Sequence, residues 1–494
     1  MFVISKMAQT PQKVHIVGAG PSGLSTAISC TLLGIPVEIY EKGEYTGGHH
    51  WVDEKNNTMH APRKLFINNH LFSNMHHLLT KIGCKPKTRL YTTTYQDILG
   101  NMTNINSLRC LIGIWYMSMI DFPLRVHSIK HLNFNEYAGR YISNECFDLS
   151  NFFNMYVAAS SKHAPANKTL WVFSSIIYNI VTKLHLTQTP SGDIDNDWHN
   201  CMKKWLLDRG VKINLNTEIN TIRVSQDKKR IVSFNANNKR ILLTARENVA
   251  LCTDPQGLVN IIKTNDEIRD NWMDRDEFIK KINASSYKSI GFRVDFREPI
   301  EKIDTWILKN TPWKIITLVG ESETAVNACV IDLDIVSPKT NKTIRVTPVE
   351  EFKTELIRQL EEAFQIPVVD VTIHNDAWYD GQEWQVKHTA VALNNKYRFL
   401  PSKGYIENID IVTSLVKRDY VITTVESCAE AAMLYANSLV PETATKLPIA
   451  DHEWNNTSFR IKILLMGLLV PAIILYVLYF IIKLIARKLI KLRK

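Results

Sequence analysis

From Arg460 to the C-terminus the chain has no acidic residue, and that absence locates most of its charge. Of a formal net charge of +10, eight charges belong to Arg460, Lys462, Lys483, Arg487, Lys488, Lys491, Arg493 and Lys494. The rest is a near-neutral globular body with a basic tail, which excludes the reading as a nucleic-acid-binding protein. Cysteine is sparse and never closely paired. Cys30, Cys84, Cys110, Cys146, Cys201, Cys252, Cys329 and Cys428 have neither the spacing of a zinc site nor the density of a disulfide scaffold. They read as reduced core thiols. The opening MFVISKMAQTPQKVHIV lacks the charged start, apolar run and cleavage site of a secretory signal. A body folded on the cytosolic side is therefore expected, with the sequons at Asn101 and Asn341 silent. Neither a metal-ligand cluster nor a nucleophile elbow occurs, so no metal site is expected.

Length allows two or three domains. Residues 463–482 carry no charge. A helix of about 20 residues at about 1.5 Å rise matches a hydrocarbon core of about 30 Å. Tyr476 and Tyr479 lie toward one end, Pro471 lies within, and KLIARKLIKLRK follows as a basic amphipathic segment suited to anionic headgroups. A membrane helix is expected, either a single-pass tail anchor or a monotopic element. The positive-inside rule favours a cytosolic C-terminus, which conflicts with a simple span from a cytosolic body.

At the other end, Lys13–Val17 (KVHIV) reads as a strand buried in a parallel sheet, and Gly18-Ala-Gly20-Pro21-Ser22-Gly23 follows at once. A helical run from Leu24 to Leu33 comes next, then Gly34 and a second strand, PVEIY, ending at Glu41. Gly18 permits the tight turn, Gly20 admits the pyrophosphate to the backbone, and Gly23 lets helix and strand pack closely. The helix N-terminus offers free N–H groups and partial positive charge to phosphate. Glu41 is placed to accept both ribose hydroxyls and disfavours a 2′-phosphate.

After Glu41 comes Lys42-Gly-Glu-Tyr-Thr-Gly47-Gly48-His49, and here the sequence resembles the FAD-dependent amine oxidase, phytoene desaturase and protoporphyrinogen oxidase superfamily. His49 stands where that superfamily usually has arginine. The segment from His60 to Phe66 resembles its loop near the flavin, and Trp205–Ile222 its helix and strand beside the adenine, with Ile219 at the contacting position. Asn248–Pro255 resembles the strand and turn beneath the dinucleotide. Glu407–Leu415 and Thr423–Ala432 resemble the closing FAD motif, with Ser414-Leu415 in place of Gly-Asp and a helix starting near Val425 and Glu426. The resemblance implies FAD as cofactor, held by Gly18, Gly20, Pro21, Ser22, Gly23, Glu41, Lys42, Gly48, His49, Ile219, Ser414, Val425 and Glu426. The glycine motif alone also admits NAD, which leaves the closing block unexplained.

Ser286–Phe296 reads as an alternating strand resembling the one in amine oxidases that presents a lysine to the flavin. Lys288 is the candidate catalytic residue on that resemblance, and an ordinary strand lysine otherwise. Ile105–Leu124 and Thr169–Val181 are rich in aromatic and aliphatic residues, as core helices or as surface that meets lipid. Trp306, Trp313, Trp378 and Trp384 read as core or as an aromatic pocket wall.

The expected fold is α/β: a discontinuous Rossmann-type FAD-binding domain (1–65, 196–275 and 401–445) with an inserted α+β substrate domain (66–195 and 276–400). A linker (446–462), a C-terminal transmembrane helix (463–482) and a basic tail (483–494) follow. The expected function is a membrane-associated FAD oxidoreductase that takes a hydride from a lipophilic, isoprenoid or sterol-like substrate, with membrane lipid as its other partner. The alternatives are an amine oxidase and a non-catalytic membrane scaffold of the same fold.

Overall fold

The computed structural model describes residues 13–53, 55, 58–59, 72–84, 88–90, 105–142, 165–183, 188–190, 198–300, 311–317, 322–391, 400–416, 424–450 and 457–492. The run Lys13–Val17 lies at the centre of a five-stranded parallel sheet, with Val14 and Ile16 fully buried. Its neighbours on one side are Glu247–Leu251 and then Ile409–Ile411. On the other side lie Val37–Tyr40 and then Lys212–Asn214. Strands buried on both faces favour continuous β-branched and aliphatic runs, as in the buried Val249–Leu251. The helix Pro21–Leu32 crosses between the first two strands and packs along Val425–Ser438, with the small residues Ala27, Ala429, Ala431 and Ala436 in one core. Residues far apart in the chain thus build one mixed α/β, Rossmann-like unit.

Ile219–Val224, Ile231–Ala236 and Lys239–Leu242 form an antiparallel meander beside this sheet. A second sheet, with Ile316–Thr317, Ala325–Val330, Ile290–Phe296 and Val368–Ile373 in that order, is antiparallel. The helix Val349–Phe364 covers it. Its Phe352 and Leu356 share a core with Phe292, Val294, Trp313 and Trp384.

The two apolar stretches of the insert are helical. Ala166–Lys183 buries Leu170, Trp171, Val172 and Phe173. The other comprises Ile105–Trp115, a π-helical turn at Tyr116–Asp121, and Phe122–Arg125. The C-terminal helix starts at Thr457, inside the segment read as a linker, and runs unbroken through Pro471 to Leu492. Its first turns pack on the insert, with Ile463 fully buried, while Ile473, Leu475, Tyr476, Phe480 and Ile482 are exposed. Thr457–Lys483 is the one helix among the described residues long and apolar enough to cross a membrane.

The cysteines depart from expectation. Cys84, beyond the end of helix Ser73–Lys81, and Cys201, in helix Asn200–Leu207, form a disulfide with their Cα atoms 5.9 Å apart. Cys110 is disulfide-bonded as well. Partners 117 residues apart carry no local spacing signal, so the reading of all cysteines as reduced thiols fails here. Cys30, Cys252, Cys329 and Cys428 are free, the first three buried as expected.

Candidate dinucleotide site

The strand Lys13–Val17 ends in a turn that only glycine satisfies at two of its positions. Gly18 has φ +103°, and a Cβ there would meet the Cys252 carbonyl oxygen at 2.9 Å. Its N–H donates to the Tyr40 carbonyl at 2.8 Å, which ties the turn to the neighbouring strand. At Gly23 a Cβ would lie 1.9 Å from the Gly18 carbonyl oxygen, so the helix sits against the turn as tightly as backbone allows. Gly20 and Gly48 approach each other directly, since a Cβ on Gly48 would stand 3.2 Å from the Gly20 Cα. The second glycine pair is thereby explained: it lets the loop after Glu41 close on the first turn.

Helix Pro21–Leu32 starts with Gly20 as N-cap and has neither a side-chain cap nor an acid in its first turn. Its leading N–H groups are left for something beyond the helix. They face a cavity of about 880 Å³ whose wall includes Gly18, Gly20, Pro21 and Ser22. Glu41 is held beside them, one carboxylate oxygen accepting from Ala19 N and the other from Gly43 N, each at 2.7 Å. A carboxylate has about four lone-pair sites, so acceptor capacity remains for hydroxyl groups in the cavity. Further along lie Asn216, Thr217, Ile219 and Asn220, then Gln256 and Asn260. Phe72, Tyr287, Ile316, Ile331 and Leu415 add apolar lining to the same cavity. Thr413, Ser414, Thr424 and Val425 join it at the start of helix Val425–Ser438.

Among the proposed cofactor contacts, Gly18, Gly20, Pro21, Ser22, Glu41, Lys42, Gly48, His49, Ile219, Ser414 and Val425 all line this single cavity. Gly23 stands behind it as the packing residue. Lys42 is at the rim, ion-paired with Glu218 at 2.7 Å. His49 belongs to the short turn Gly48–His50. The segment His60–Phe66 lies outside the described residues.

Two proposed residues are not brought to the cavity. Glu426 is fully buried and accepts N–H groups from Asn74 at 2.8 Å and Met75 at 2.7 Å. It caps the helix Ser73–Lys81 and fastens it to Val425–Ser438, because its position on the first turn faces that neighbour rather than the cavity. Lys288 falls in a break between Ser286–Tyr287 and Ile290–Phe296, so the expected continuous strand is not formed. Its ammonium donates to Glu383 Oε1 at 2.9 Å, the Trp384 carbonyl at 3.0 Å and Gln385 Oε1 at 2.8 Å. Three donors are thus committed to holding the hairpin Ala377–Val386. Of the tryptophans, Trp313 and Trp384 are core and Trp378 lines the cavity, while Trp306 lies outside the described residues.

Residues that line the cavity, such as Asp254, Lys387 and Thr389, and others that support its lining from behind were not foreseen. Asp254 caps helix Pro255–Thr264 through Gly257 N at 3.0 Å, and its second oxygen accepts from Thr389 N at 3.0 Å. It joins the Rossmann unit to the segment Val386–Val391, which closes the cavity from the far side. The Asp-Pro pair at a helix start was its available signal. Tyr45 stacks on Trp51 at 3.7 Å, donates to Asp376 at 2.9 Å and accepts from Lys387 at 2.9 Å. Burial and the Asp376 carboxylate raise the Tyr45 hydroxyl above its ordinary range, so it stays protonated as a donor. Asp410, in the strand beside Glu247–Leu251, is 1% exposed, and burial raises its pKa to about 6.

A discontinuous parallel sheet, a glycine turn opening on an uncapped helix and an acid at the end of the second strand define a mixed α/β, Rossmann-like fold. Residues 16–77 match the NAD(P)-binding Rossmann-like domain. The chain is 23% identical over 314 residues to zeta-carotene desaturase of Synechocystis sp., a stretch covering 55% of this chain and 62% of that protein. It is 50% identical over 38 residues to hydroxysqualene dehydroxylase of Sinorhizobium fredii, 8% of this chain and 9% of that protein. The chain thus matches less than two thirds of the length of these curated relatives. Its fold is shared with putrescine oxidase bound to putrescine, at TM-score 0.54 and 14% identity, covering 87% of this chain and 98% of that one. The resemblance to the amine oxidase and phytoene desaturase superfamily, drawn from the motifs, therefore holds.

Proposed function

We propose that this chain is an FAD-dependent oxidoreductase, held at a membrane by its C-terminal helix, that takes a hydride from a lipophilic substrate of isoprenoid or sterol type. The observation that carries the reading is one cavity lined both by the glycine turn and by apolar side chains. The helix N-terminus and Gly18–Ser22 fit a pyrophosphate, Glu41 fits a ribose, and Asn216–Asn220 fit an adenine edge. Phe72, Tyr287, Ile316 and Ile331 exclude water and fit an aromatic ring system. When bound there, a flavin supplies the hydride acceptor. The chain's own part is to orient and desolvate. Helix Val425–Ser438 directs its N-terminal partial positive charge to the cavity, where it stabilises anionic character. Thr413 and Ser414 offer hydroxyls where the superfamily's closing motif has a carboxylate.

Similarity to a carotene desaturase and a hydroxysqualene dehydroxylase supports an apolar substrate. The placement of Lys288 away from the cavity gives the amine oxidase reading no lysine of the expected kind. The test is anaerobic reduction of the flavin-loaded protein by a panel of polyenes, sterols and alkyl amines. Bleaching by a polyene or sterol is expected. Bleaching by amines alone would replace the substrate class, and a flavin that no compound reduces would favour the scaffold alternative.

A further inference from the structure

The π-helical turn Tyr116–Asp121 crosses the C-terminal helix at Gly467 with almost no space between the backbones. A Cβ on Gly467 would lie 2.6 Å from the Met119 carbonyl oxygen, and the Trp115 indole N–H donates to the Gly467 carbonyl at 3.2 Å. Lower down, Arg460 Nε donates to the Pro123 carbonyl at 2.8 Å. These contacts fix the insert at a definite height on the long helix. The last charge before the apolar run is Lys462, and the crossing lies beyond it. Five residues of helix rise roughly 7 Å.

The same segment presents large apolar side chains outward, Tyr116 with one side of its ring against Tyr141. Ile112 is 61% exposed, Tyr116 44% and Leu124 60%. Ile461, Leu465, Leu468 and Leu469 are exposed on the long helix around the crossing. Next in the chain no acid occurs between Phe122 and Asn135, and Lys130 and Arg125 are exposed, the latter with Asp121 at 3.6 Å, as is Lys462 on the long helix. Exposed bases adjoining in the chain an apolar surface that continues onto a membrane-length helix are complementary to one partner, a phospholipid leaflet with its phosphate layer at the bases.

We infer that the shelf Ile112–Leu124 is a second membrane-contacting element, immersed in the near leaflet beside the C-terminal helix with Tyr116 below the phosphate level. The inference rests on the membrane reading of that helix. It makes the body seated on lipid rather than tethered above it. The insert that lies on the bilayer also packs on the Rossmann core, since Ile114, Met117 and Phe122 share that core with Leu24 and Phe72.

Full-length protein in nanodiscs of phosphatidylcholine and phosphatidylserine, carrying a nitroxide at one of three sites, tests this. The sites are Tyr116→Cys, Leu475→Cys on the long helix and Leu242→Cys on the remote meander, with label on native thiols subtracted. Collision with dissolved oxygen relative to a water-soluble nickel chelate is expected to be several-fold higher at positions 116 and 475 than at 242. Position 116 matching 242 while 475 stays lipid-like would overturn the shelf and leave the anchor intact. Position 475 matching 242 would overturn the anchor and the shelf with it.

Discussion

Glu41 and Asp410 are two carboxylates on the parallel sheet with opposite tasks. Glu41 is held open to the cavity by two backbone N–H groups. Glu41→Ala is expected to weaken flavin affinity about 10- to 100-fold, a loss of about 1.5–3 kcal/mol for hydrogen bonds to a charged group. Flavin fluorescence titration measures it, and unchanged affinity would remove Glu41 from the site. Asp410 has its Oδ1 without a hydrogen-bond partner and a pKa raised by burial to about 6. A folded-state pKa above the unfolded one means that protonation favours the fold. Its contribution is complete below about pH 4 and is lost as pH rises through about 6. Asp410→Asn should therefore be more stable than the parent at pH 7.5, by about 3 kcal/mol, and nearly equal to it at pH 4. Denaturant unfolding at the two pH values measures the difference. The glycine turn and Glu41 were legible because each is fixed by local geometry within one strand–helix–strand unit. Lys387 and Thr389 were not, because they are tied to the site only through contacts with Tyr45 and Asp254, far away in the chain.

At the scale of elements, helix Val425–Ser438 does two jobs on one turn. Val425 lines the cavity, while Glu426 caps the neighbouring helix at Ser73–Lys81. Glu426→Ala leaves two buried N–H groups unsatisfied and is expected to cost about 1–3 kcal/mol of stability, with Glu426→Gln recovering part through its remaining acceptor. Thermal unfolding of the two variants distinguishes this from a cofactor contact, which would lower flavin affinity without lowering the melting temperature of the flavin-free protein. The strand at Ser286–Phe296 shows why element boundaries are harder to read than element types. Alternation is a face pattern and says nothing about a break. The chain turns at Lys288 because three acceptors on the hairpin at Glu383–Gln385 hold its ammonium.

At the scale of the molecule, the disulfide Cys84–Cys201 closes a loop of more than 100 residues around much of the apolar insert. A closure of that length contributes about 2–5 kcal/mol. Reductant, or Cys84→Ser, should lower the melting temperature by several degrees, and a free-thiol count unchanged by denaturation and reduction would contradict the pairing. The pairing removes the reduced-thiol reading as an argument for a reducing compartment.

The central claim is that this cavity grips a flavin dinucleotide. The visible absorption spectrum of the full-length protein purified in detergent, before and after addition of FAD and removal of the excess, tests it most directly. Flavin bands that stay with the protein are the expected result, diminished in Glu41→Ala. A colourless protein that retains no added FAD would contradict the account.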